Sequence, residues 1–146
     1  MLTLTKKEYE LEEKVQVNDE KGNVIYEFTM QITPEEMKEL KDLIFDEDDV
    51  KNGRKMAKLE KEGNIEGLEQ MEAKVIENAR NRQERLEEIC FKEHREKFKE
   101  QAGEYKYLEM VEMMFDFFVK TFADQRAKQV NTMSSHLRKI SNNWTY

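Results

Sequence analysis

A chain of 146 residues has room for one domain with a modest core. Apolar residues make up 38% and charged residues 39%; the charges are of both signs and the apolar residues are patterned, which argues against disorder, while one proline and five glycines disfavour a turn-rich all-β fold. The net charge of −7 is uneven: residues 1–50 hold 15 acids against 6 bases, and after Asp124 no acidic side chain follows, whereas Arg126, Lys128, Arg138 and Lys139 do. An acidic body argues against general nucleic-acid binding, and a short basic tail suits a helix C-terminus.

The first elements are the clearest. Tyr9, Leu11, Val15 and Val17 alternate with polar residues, with Glu13 the one exception on the apolar side. Val24, Tyr26, Phe28, Met30 and Ile32 repeat the pattern, and residues 18–23 between the two runs have turn chemistry. The reading is an antiparallel β-hairpin. Thr33, Pro34 and Glu36 then predict a capped helix over about residues 34–45, with Met37, Leu40, Leu43 and Ile44 on one face. This helix is expected to pack near the hairpin's apolar face, because a bare hairpin is marginal in water.

The acidic run from Asp46 and the glycines at 53, 63 and 67 predict a connector over residues 46–67. A long helix is expected over about 68–99, with a thin stripe of Leu68, Val75, Ala79, Leu86 and Ile89 that suits a surface helix or a coiled coil. Gly103 breaks it. The last helix, about 104–140, carries a seam of Leu108, Val111, Phe115, Phe118 and Phe122, with Met110, Met113, Met114, Phe117 and Val119 apolar beside it. Further on, Val130, Met133, Leu137 and Ile140 form a single stripe. The expected fold is α+β and mainly helical: one domain over residues 1–146, made of hairpin plus short helix (1–45), connector (46–67) and helical part (68–146).

No residue pattern marks a reaction. An EF-hand loop fails in both registers: starting at Asp46 puts Val50 at position 5 and Lys51 at 6, and starting at Asp48 puts Val50 at 3 and Leu59 at 12. Cys90 and His94 lie four apart on a predicted helix, but two ligands do not make a structural zinc site, and Cys90 between Ile89 and Phe91 reads as a core thiol. His136 reads as a surface histidine. No phosphate-binding, dinucleotide-binding, serine-hydrolase or zinc-protease motif occurs. No catalytic, metal or cofactor residue is therefore assigned.

A single cysteine permits no intrachain disulfide, the first residues lack the apolar segment of a signal peptide, and the apolar run near residues 113–119, broken by Asp116, is too short for a bilayer. A cytoplasmic protein without a membrane partner is expected. The concentration of Met and Phe over residues 105–122 has two readings, the core of a small domain or an adaptable surface for a helical partner or an oligomer. On the second reading Met110, Met113, Met114, Phe117, Phe118 and Phe122 are the interaction residues.

Residues 86–98 (Leu-Glu-Glu-Ile-Cys-Phe-Lys-Glu-His-Arg-Glu-Lys-Phe), residues 105–122 and the opening Lys7-Glu-Tyr-Glu-Leu11 give the chain a layout that resembles the small tail assembly chaperones of long-tailed bacteriophages. The long regular hairpin departs from that family's usual pattern. The resemblance implies a non-enzymatic, oligomeric protein of the host cytoplasm that coats a tape measure protein, keeps its long apolar helices soluble and helps recruit tail tube subunits. It carries over no catalytic residue. The alternatives are a small helical adaptor or inhibitor with one protein partner, and an enzyme whose site has no motif.

Overall fold

The computed structural model describes residues 1–3 and 8–144, the side chains of residues 129–144 excepted. An antiparallel hairpin of β1 (Leu11–Asn18) and β2 (Val24–Ile32) is followed by α1 (Pro34–Ile44), α2 (Glu47–Lys61), α3 (Ile65–Phe91), a single 3-10 turn (Lys92–His94), α4 (Arg95–Ala102) and α5 (Glu104–Trp144). The chain is mainly helical with an N-terminal hairpin. The stripe Val130, Met133, Leu137 and Ile140, and His136, lie at positions whose side chains are outside the described residues.

The hairpin turn is closed by one side chain. The Asp19 carboxylate accepts from the backbone N–H groups of Lys21 at 2.9 Å and Asn23 at 2.8 Å. Gly22 sits at φ 84°, where a Cβ would be strained. Val15 pairs with Phe28 and Val17 with Tyr26, and a bulge follows Val17, where Asn18 meets Val24. Val15, Val17, Phe28, Met30 and Ile32 are buried, whereas Glu13, opposite Met30, is exposed.

The capping box at α1 is complete: Thr33 Oγ1 accepts from the Glu36 N–H at 3.1 Å, and the Glu36 carboxylate accepts from the Thr33 N–H at 3.0 Å. Contrary to the expectation, α1 packs chiefly on α3 and α5, and the hairpin's apolar face is covered by the end of α3 and by α4. Aromatic size explains the choice. Phe91 and Phe98 bring two rings to within 5.7 and 6.1 Å of Phe28, more apolar surface than α1 offers through Met37 and Leu40.

Three expected boundaries are corrected. The segment 46–67 is not an open connector, because α2 occupies most of it. Asp46 caps that helix by accepting from the Asp48 N–H, and Asp49 holds Arg82 of α3 through a two-pronged pair at 2.8 and 2.9 Å. Gly53 is tolerated in α2 because no residue of that helix is buried, so its missing side chain leaves no hole. The helix expected over 68–99 starts earlier, at Ile65 behind an Asn64 cap, and stops at Phe91. Lys92 then takes φ 49°, the one non-glycine residue with positive φ among those described. Its ammonium holds the break in place: Nζ donates to the carbonyls of Gln31 and Ile89 at 2.8 and 2.9 Å and to Glu36 at 2.9 Å, tying β2, α3 and α1 together. Of the expected stripe on α3, Leu86 and Ile89 are buried, Leu68 and Val75 are half-buried and Ala79 is exposed, because only the last turns of α3 reach the core.

Helix α5 runs to Trp144, past the expected end, and its buried seam is offset from the expected one. Tyr107, Val111, Met114, Phe118 and Phe122 face the core, while Leu108 and Phe115 are 46% and 43% exposed. Tyr107 wins over Leu108 because its hydroxyl has partners inside. It donates to the Glu87 carboxylate, the one buried charged group described, and accepts from Arg95 Nε at 3.2 Å. Arg95 also reaches Glu87 at 3.3 Å, and Gln83 donates to its other oxygen at 3.4 Å, so the buried carboxylate is satisfied.

Candidate functional site

Cys90 and His94 form no joint site. The thiol is 1% exposed among core residues, and burial pushes it up to about 12 from an ordinary 9.0. His94, beyond the helix break, stacks on Phe28 at 4.7 Å and shares a hydrogen bond of 2.7 Å between Nδ1 and the Tyr26 hydroxyl. His94 packs on the hairpin, whereas Cys90 belongs to the core. Tyr107 is likewise raised, first by burial and then by its bond to Glu87. These raised groups have one consequence for stability. The unfolded chain sheds the thiol proton from about pH 9 upward while the folded chain keeps it, so stability is fully present below about pH 9 and falls as pH rises toward 12. Urea midpoints at about pH 8 and about pH 11 will show this fall in the wild type and a shallower one in Cys90→Ala.

Among the described residues no three His, Cys, Asp or Glu side chains gather as a metal site needs. Asp46 and Asp49 are turned toward Arg82, at 3.4 and 2.8 Å. Nor is any described helix long and apolar enough to cross a membrane.

The surface feature that stands apart lies on the hairpin side of α5. Between helix α5 and β1 lies a groove of about 270 Å³, floored by Val15, Met30 and Met114 and walled by Met110, Met113 and Phe117. The opposite wall is β1 itself, through Glu13, Lys14 and Gln16. Strand β1 pairs only with β2 among the described residues, so its other edge has no strand partner. The six residues read as interaction candidates divide here. Met114, Phe118 and Phe122 are buried in the core; Met110 and Phe117 are half-buried; Met113 is 62% exposed. A three-residue step on a helix turns the chain by most of a revolution, so a run of apolar residues this dense supplies both a core stripe and an outer one.

The groove residues missed from the sequence are Val15 and Met30, whose place beside α5 is a tertiary fact. Glu13 carried a faint signal, as the one polar residue on the strand's apolar side: it stands at the mouth of the groove, where water reaches it. On the other flank of α5, Phe115 with Leu43, Ile44 and Leu86 lines a hollow of about 250 Å³. A third cleft, about 400 Å³, lies between Phe45 and Phe122, and Lys41 and Arg126 make it basic.

No family model, curated protein or solved structure matches the chain. The methionine groove and the open strand edge beside it are therefore read on their own chemistry.

Proposed function

We propose that this chain is a non-enzymatic binding protein of the assembly-chaperone kind, which covers one apolar face of a long helical client and keeps it soluble. The observation that carries the reading is the groove: an exposed Met113 between half-buried Met110 and Phe117, beside an unpaired strand edge. Unbranched methionine side chains adjust to apolar knobs of different shape, which suits a client that presents many similar helical turns rather than one fixed epitope. The charged remainder keeps the complex in solution. A tape measure protein, with tail tube subunits as further partners, is the client class that the resemblance of residues 86–98 and 105–122 suggests. An adaptor with one tight partner would use the same surface and differ in accepting a single sequence.

The test is binding of a fluorescein-labelled amphipathic helical peptide, with leucine at i, i+3, i+4 and i+7 spacing, followed by anisotropy. Met113→Lys is expected to fold normally and to weaken binding by about tenfold or more, the size of a central interface contact. Leu108→Lys, on the other flank of the same helix, is expected to bind as wild type. Equal binding by all three proteins, or none by the wild type, refutes the groove as the client site.

A further inference from the structure

Among the residues of α5 whose side chains are described, Phe122 is the last buried one and residues 123–128 are exposed; the helix continues to Trp144, roughly 33 Å beyond Phe122 at 1.5 Å per residue. The sequence of this extension is a poor helix former by itself, with Val130, Asn131, Thr132, Ser134, Ser135 and His136 in succession around Met133. Such a helix draws its stability from packing one face against something. That face is written in the sequence: Val130, Met133, Leu137 and Ile140 recur at 3-4-3 spacing, the pattern of a helix laid in a groove.

Charge and geometry name the occupant. From Ala127 onward the chain carries three basic side chains and no acidic one, whereas residues 104–124 hold five acids against two bases. Around the methionine groove, Glu109 and Asp116 lie four residues before and three after Met113 on its face of the helix, nearer than Lys106 and Lys120, which lie seven residues to either side, and Glu13 stands opposite. Lys14, the cation on that wall, is paired with Glu27 at 2.8 Å. The cleft at Phe45 has the wrong sign for a basic segment, because Lys41 and Arg126 line it. A tail cannot reach the groove of its own chain: residues 110–117 of the groove and the tail belong to one helix with no glycine or proline between Gly103 and Trp144, so a fold-back would break the helix where nothing favours a break.

We propose that the tail of one copy, residues 127–144, docks its apolar stripe into the methionine groove of a second copy, which returns its own tail in exchange. Tail and client then compete for one surface, so the exchanged dimer is a stored form that client binding opens. The exchange itself requires only the groove and the tail, and stands whether or not a client binds.

Two full-length variants test it by light scattering. Met113→Lys spoils the groove, and Leu137→Glu spoils the tail. Wild type is expected at twice the 17.6 kDa chain mass, and each variant alone at the single mass. An equimolar mixture of the two is expected to recover a dimer, because one intact tail meets one intact groove. If Met113→Lys stays dimeric while Leu137→Glu does not, the tails pair with each other and the proposal falls. If wild type is monomeric the exchange falls, while the client reading stands or falls separately, by peptide anisotropy. Failure of the mixture to dimerise, with both variants folded by circular dichroism, also overturns it.

Discussion

Replacing Phe98 with alanine will lower stability by about 3–5 kcal/mol, the usual cost of removing a buried aromatic ring. The ring is fully buried, and its centroid lies 5.3 Å from Phe91, 5.9 Å from Tyr26, and 6.1 Å from both Phe28 and Tyr107. These four neighbours come from β2, α3 and α5, so no single element can collapse into the void without leaving another. A small domain of this kind has about 5–15 kcal/mol in all, and the loss takes a large share of it. Urea unfolding followed by circular dichroism will show the shift in midpoint. Phe98→Leu, which fills part of the volume, will lose less. The contrasting substitution is Met113→Ala at the exposed groove wall, expected within about 0.5 kcal/mol of wild type.

Glu87→Ala will cost about 2–3 kcal/mol for a different reason. It removes few apolar contacts but leaves the Tyr107 hydroxyl, in the core, without its acceptor, and Arg95 without the carboxylate it faces. Arg95 retains some contact with water, which keeps the loss below that of a fully buried pair. Tyr107→Phe will cost less, about 1 kcal/mol, because Glu87 keeps Arg95 and Gln83. A double-mutant cycle with Glu87→Ala and Tyr107→Phe is expected to be strongly non-additive, since once Glu87 is gone the hydroxyl has little left to lose. Additive losses would mean that the two groups act separately.

The two residues also explain the offset seam of α5. Along the helix, the set Leu108, Val111, Phe115, Phe118, Phe122 and the set Tyr107, Val111, Met114, Phe118, Phe122 are both apolar at helical spacing. Periodicity cannot choose between them, because their members differ by one step on neighbouring faces. The choice falls to Tyr107 through a hydrogen-bonding site built by α3 and α4, whose place depends on the break at Lys92. That break carries no glycine or proline. It persists because one ammonium is bound by the Ile89 carbonyl of the adjoining helix and by acceptors on β2 and α1, far away in sequence.

What the sequence determined by itself was whatever short-range energies decide. The Asp19 turn, the alternation of both strands, the capping box at Thr33 and the stop at Gly103 each involve partners a few residues apart, so they were legible without a fold. The Met and Phe concentration in α5 was legible too, but not its division into core and surface. Only the tertiary structure decided that Met114, Phe118 and Phe122 are spent on the core and that Met113 is left outside with Met110 and Phe117 beside it. The reason is geometric: a helix dense in apolar residues on two faces has one core to fill, and the position of β1 and β2 determines which face remains as a groove.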